Sequence, residues 1–294
     1  MKPSLELNPY LLKNETLFDN AFYNRFTLKP HTLQLNDEIA KTYKFPTFYG
    51  NVTQSVAIYL CSYDRAKAMM PHTNLVPVKM GGGKTLVIFS CYQYKNVHQV
   101  DTYNEIAMTI PVMANPGVNV PVLPMIMTPM FKKFGYYVFS MPVTSLENRI
   151  RGHKLWGLPK VVQEISFRTE DDCHICTAKE ETGEVYFELK VPVAGKKTTI
   201  DEKGFLYSNL DNEMIRAETC FQGEYSINKF MGRLFSSKPV ENAYLSLGDT
   251  PSGNIIKNLE LDSHPFQFRY AENVSSCFDL PDKKNQTFME KNFS

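Results

Sequence analysis

The sequence predicts a mainly β protein, a β-rich α+β chain whose antiparallel strands close, or nearly close, into a barrel. Three observations predict it. From Val52 onward, short runs rich in Val, Ile, Phe and Tyr alternate with turn residues, the pattern of many antiparallel strands. Gly81-Gly82-Gly83 and Glu181-Thr182-Gly183 punctuate these runs, and glycine supplies the positive φ that hairpin turns need. Helical signals are confined to two short segments.

In order along the chain, residues 1–44 mix polar residues with short apolar pairs such as Leu11-Leu12 and lack sustained periodicity. They read as an N-terminal extension packed on the body or on a neighbouring subunit. Strands are expected at 52–63, 74–79, 85–95, 103–114, 133–143, 161–169, 173–181, 184–193, 213–225, 241–247 and 265–272. A two-turn helix is expected over 64–70, opened by Asp64 as N-cap and stopped by Pro71. Thr144 and Glu147 have capping-box spacing, and Gly157 and Pro159 end the helix that follows. Lys160 therefore sits where a short helix hands over to a strand. The C-terminal residues read as a loose polar tail.

Composition narrows the function classes. Of 294 residues, 43% are hydrophobic and 21% charged, enough to bury a sizeable core. Lys plus Arg number 32 against 31 Asp plus Glu, so no global field favours nucleic acid or an anionic membrane. No segment has the length of a secretory apolar core or a membrane span. The six cysteines are scattered, which suits a reducing cytoplasmic compartment better than a disulfide framework.

Four features bear on chemistry. Gly81-Gly82-Gly83-Lys84-Thr85 ends like a phosphate loop, but the motif's first glycine would fall at Val78 and Thr85 opens a strand, so it reads as a hairpin turn. Cys173-His174-Ile175-Cys176 has the spacing of zinc and redox sites, yet no second ligand pair exists, and strand residues three apart face opposite ways. No metal is expected. Lys160 lies among Leu158, Val161 and Val162, where desolvation would lower its pKa and leave a nucleophilic amine near neutral pH; a strand-edge lysine pointing to solvent is the plainer alternative. Glu105 shares a strand face with Ala107, Thr109 and Pro111. If that face is interior it needs a partner, for which a lysine or imine nitrogen would serve; a solvent face is again the alternative.

Taken together these segments resemble the acetoacetate decarboxylase family. Gly152-His153-Lys154-Leu155-Trp156-Gly157-Leu158-Pro159-Lys160 is similar to its Schiff-base segment, Tyr103-Asn104-Glu105 with Ile110-Pro111-Val112 to its Tyr-x-Glu strand, and Phe268–Phe278 to its last barrel strand. The resemblance spans roughly residues 45–282, leaving 283–294 as the tail. It implies a cone-shaped closed barrel, no cofactor, a homo-oligomer, and an oxo-acid substrate that condenses with Lys160 and loses CO2. Glu105 would be the active-site acid, with Tyr103 and Trp156 as candidate pocket walls. The activation of a lysine in this family is a standard case of nucleophile tuning. Three departures stand out. Val161 follows Lys160 in place of a second lysine, residues 45–64 hold no arginine to clamp a carboxylate, and Ser90 stands where a second acid is expected. Aldol-type or dehydratase chemistry through the same imine, and a non-catalytic ligand-binding barrel, are the competing expectations, with a Cys173–Cys176 redox protein as a third.

Overall fold

The computed structural model describes residues 1–117, 120–127, 130–230, 232 and 244–281. Two short 3₁₀ turns precede a hairpin of β1 (Lys29–Gln34) and β2 (Ala40–Phe45). There follow β3 (Thr47–Ser62), α1 (Tyr63–Ala68), β4 (Leu75–Pro77), β5 (Lys84–Val97), β6 (Tyr103–Ala114) and α2 (Leu123–Ile126). Next come β7 (Phe134–Val143), α3 (Leu146–Trp156), β8 (Lys160–Val162), β9 (Glu164–Glu170), β10 (Cys173–Lys179) and β11 (Val185–Pro192). The described chain ends with β12 (Lys196–Leu210), β13 (Glu213–Lys229), β14 (Leu245–Leu247), α4 (Pro251–Lys257) and β15 (Gln267–Phe278).

Seven strands close the barrel in the order β6-β5-β3-β15-β13-β12-β7, with β7 returning to β6. The pairings are antiparallel except the seam, where Leu206 and Tyr207 of β12 run parallel to Tyr136 and Tyr137 of β7. A four-stranded sheet, β14-β11-β10-β9, packs on the outside. Alternation decides which side chain goes where. Ala57, Val87, Phe89, Ile106 and Met108 turn outward to meet Ile165, Phe187 and Leu189 of the small sheet. Their neighbours Tyr92, Tyr94, Tyr103 and Ala107 form the other core, within the barrel. β6 is buried along its whole length because both of its faces are covered.

The departures from expectation have local causes. The N-terminal extension contains the β1–β2 hairpin, and β2 alternates exposed and buried residues from Ala40 to Phe45. The expected strand 161–169 is two strands, broken at Gln163: β8 pairs in parallel with β7 beside the closed seven, and β9 joins the outer sheet. β12 and α4 lie where no element was expected. The cap of α3 is Ser145, whose Oγ accepts from Asn148 N at 3.3 Å, not Thr144, which instead accepts from Asn104 N. Likewise Ser62 caps α1 in place of Asp64. Of the expected strand 241–247, residues 241–243 lie outside the described residues, as does the 283–294 tail. Among the described residues no helix is long and apolar enough to cross a membrane.

Candidate functional site

The two expected chemical residues meet inside the barrel. Glu105 on β6 faces Tyr92 of β5 and Val143 of β7 across the ladder. Lys160 opens β8 opposite Met141 of β7. The backbone before it is fixed by Gly157, whose φ of 57° ends α3 in the left-handed region and which is pressed against the Asn209 carbonyl. His153 Nε2 lies 2.9 Å from the Lys160 carbonyl, tying the helix to the strand. The Lys160 side chain then crosses the face of Gly152, where a Cβ would collide with Lys160 Cδ. Glycine at that position is a requirement of the lysine's path.

Lys160 Nζ donates to Glu105 Oε2 at 2.6 Å, and both side chains are only 6% exposed. Tyr94 donates from its hydroxyl to Glu105 Oε1 at a longer 3.3 Å. The Tyr103 ring lies 5.7 Å from Nζ, within cation–π range, and Tyr49, Tyr92, Tyr94 and Tyr103 are in ring contact around the pair. Burial is the main force on the lysine and lowers its pKa. Glu105 opposes that shift by favouring the ammonium, and the Arg151 charge adds to it.

Tyr103 therefore stands beside the lysine. Ser90 lies on the same interior face, across from Ala107. Trp156 is placed differently from a pocket wall: its ring stacks on Phe278 at 4.8 Å and meets Phe45 at 5.7 Å, and its indole N–H donates to the Asp279 carbonyl. Those contacts pin α3 to the last barrel strand. The Cys173 and Cys176 side chains go to opposite sides of β10; Cys173 is half-buried, while the Cys176 thiol is sealed in the core beside Cys91. Burial holds the Cys176 pKa well above the ordinary thiol value, which disfavours the thiolate that redox exchange needs. Among the described residues no group of three His, Cys, Asp or Glu side chains converges as a metal-ligand set.

Sequence reasoning passed over Arg151. It is buried, 2% exposed, and its Nη2 donates to Thr47 Oγ1 at 2.8 Å at the start of β3. Arg151 lies on α3, and nothing in helix periodicity marks a charged residue as inward-facing. Tyr94 was equally legible only in retrospect: it shares a strand face with Ser90 and Tyr92.

Solved structures share this architecture. The acetoacetate decarboxylase of Legionella pneumophila subsp. pneumophila str. Philadelphia 1 superposes with a TM-score of 0.55 at 14% identity, over 81% of this chain and 86% of that one. A second acetoacetate decarboxylase structure gives 0.54 at 14% identity, over 80% and 87%. The enduracididine biosynthesis enzyme MppR complexed with pyruvate gives 0.52 at 11%, over 80% and 90%. No curated protein sequence matches the chain. The model of the acetoacetate decarboxylase family matches residues 31–217, and since that span is more than half the sequence and contains Glu105 and Lys160, the chain belongs to the acetoacetate decarboxylase family.

Proposed function

We propose that the chain is a Schiff-base lyase acting on a small oxo acid, with loss of CO2 from a β-keto acid as its leading reaction. The observation that carries this reading is the buried Lys160–Glu105 contact at 2.6 Å. A lysine there can be an ammonium paired with a carboxylate, or an amine beside a carboxylic acid, and one proton moving from Nζ to Oε2 interconverts the two. Desolvation favours the neutral amine. The amine attacks the substrate ketone, the Glu105 acid protonates the carbinolamine oxygen, and water leaves as the iminium forms. The iminium then accepts the electron pair of the breaking C–CO2 bond. Glu105, left as a carboxylate, takes up a proton from water, and in this reading it then protonates the carbon of the resulting enamine. Hydrolysis releases the product and restores Lys160.

Tyr103 and Ser90 supply the polar lining in this reading, and Trp156 holds α3 so that Lys160 stays aimed inward. Retro-aldol and dehydratase chemistry share every step up to the iminium and differ in the bond that breaks next. The free state of all six cysteines agrees with a cytoplasmic location, and homo-oligomerisation is a further part of the reading, open to a solution mass measurement.

Borohydride trapping tests it. The purified protein is incubated with acetoacetate, pyruvate and other oxo acids, reduced, and weighed intact. An adduct mapping to Lys160, absent in Lys160→Ala, is the expected result. If no carbonyl compound labels Lys160, the lyase reading falls and the binding-barrel reading replaces it. Product analysis of the labelling substrates separates decarboxylation from the aldol and dehydratase routes.

A further inference from the structure

We infer that Arg151, delivered from α3, is the residue that selects an anionic substrate. The inference rests on the Schiff-base reading of Lys160. Its starting point is the imbalance of charge around Arg151. The guanidinium is buried, 2% exposed, and always protonated. Its Nη1 donates to Asn148 Oδ1 at 3.0 Å and its Nη2 to Thr47 Oγ1 at 2.8 Å, both neutral acceptors. Nε has no hydrogen-bond partner. Tyr43 lies flat beneath it, 4.5 Å from ring centroid to Cζ, with Phe45 at 5.8 Å. Glu147 is four residues earlier on the same helix, but both its oxygens are taken by Lys41. Among the described residues, no carboxylate forms an ion pair with Arg151.

A buried cation without a counter-anion is costly, and a carboxylate on the ligand would complete the pair. The position of Arg151 says which ligand. It adjoins Gly152, across which the Lys160 side chain runs. Its charge is felt at Lys160, Tyr103 and Tyr49 alike, the groups that surround the reacting nitrogen. Its Thr47 contact sets it at the mouth of β3, the strand whose sequence carries no arginine. The matching ligand is a carbonyl compound bearing a carboxylate on the side of the carbonyl that faces α3. Planar guanidinium donors suit that group better than an ammonium would.

The test compares an anionic with a neutral carbonyl probe. Borohydride labelling of Lys160 is followed against concentration, using pyruvate and acetone, in the wild type, Arg151→Gln and Arg151→Lys. Arg151→Gln is expected to raise the half-saturating pyruvate concentration at least tenfold and leave that for acetone within about twofold, with Arg151→Lys between. The maximal labelling rate reads a different effect. Loss of the cation lets Lys160 hold its proton more tightly and slows both probes equally near neutral pH. Equal changes in half-saturation for both probes would assign Arg151 to electrostatic tuning alone and overturn the inference. Should both variants fail to fold by circular dichroism, the wild type decides: acetate and propionate must compete with acetone labelling, and an absence of competition overturns the inference. If the wild type is labelled by neither probe, it is the Schiff-base reading that fails.

Discussion

Two buried Lys–Glu pairs flank α3, and they are built for opposite purposes. Lys41 on β2 donates to both oxygens of Glu147 at 2.9 Å, and the Tyr43 hydroxyl adds a third bond to Oε1 at 2.7 Å. The carboxylate accepts three hydrogen bonds, and the pair locks the β1–β2 hairpin onto the helix. Lys160 and Glu105 make one short bond, with Tyr94 at the edge of hydrogen-bonding range. The difference is coordination, since burial is nearly the same: side chains are 2% and 6% exposed in the first pair, 6% and 6% in the second. A carboxylate that holds its lysine through both oxygens and a tyrosine besides offers a ligand little. An under-coordinated pair keeps donors and a mobile proton available, which is what nucleophilic chemistry requires.

The largest expected difference between the pairs is in reactivity. Lys160→Met should abolish carbonyl trapping altogether, whereas Lys41→Met should leave Lys160 labelled once the protein is folded. Intact-mass measurement on both variants checks this, and labelling that persists in Lys160→Met would assign the chemistry to another lysine.

Glu105→Gln comes next and splits into two readouts. General acid–base assistance typically contributes a factor of roughly 10² to 10⁴, and turnover should fall within that range. The amine itself should become easier to deprotonate. Burial and the Arg151 charge both lower the Lys160 pKa, while Glu105 raises it; removing the carboxylate leaves only the lowering influences. Burial holds Lys160 below the ordinary lysine value of 10.5, and the midpoint of the labelling pH profile should move to still lower pH in Glu105→Gln. A midpoint moving upward would show that Glu105 does not act on Lys160 as its counter-ion.

How much of this was legible in the sequence depends on whether a residue obeys its strand's alternation. Glu105 does: the run from Tyr103 to Val112 sets it on one face with Ala107, Thr109 and Pro111, while the choice between interior and solvent for that face needed the closed barrel. Lys160 was marked by Gly157-Leu158-Pro159 before it, which fixes where α3 ends. The β1–β2 hairpin was hidden because Lys41, a charged residue, occupies a buried position of β2, so its apolar alternation looks broken until Glu147 is seen opposite. β12 was hidden for a related reason, since its first half, Lys196–Lys203, is almost wholly exposed and polar outside Ile200. Arg151 illustrates the limit. An inward arginine on a polar helix becomes visible only when the hairpin that covers it is in place.

Breaking the strut from one side has a stability cost in place of a chemical one. Glu147→Ala strands Lys41, an ammonium in a nearly water-free site, and removes the acceptor of the Tyr43 hydroxyl. Truncating one partner of a buried pair costs about 3–5 kcal/mol. Urea denaturation should show a loss of that size, and a loss below about 1 kcal/mol would mean that the hairpin lifts to let Lys41 reach water.

The smallest expected effect is the most telling about what the strut is for. Replacing all three members together, Lys41→Met, Tyr43→Phe and Glu147→Leu, removes the desolvation cost along with the attraction. Tyr43 must be included, because its hydroxyl is buried and bonded to Glu147, and an orphaned hydroxyl costs about 1–3 kcal/mol by itself. Apolar residues of similar volume often match or exceed the stability of the ion pair they replace, so the triple variant should melt within about 1 kcal/mol of the wild type. The Arg151 guanidinium would still rest on an aromatic ring at position 43, and Lys160 labelling should be retained. If labelling is lost while stability holds, the Lys41–Glu147 pair does more than fasten the hairpin: its charges shape the field at Lys160, and the separation between strut and reactive pair dissolves.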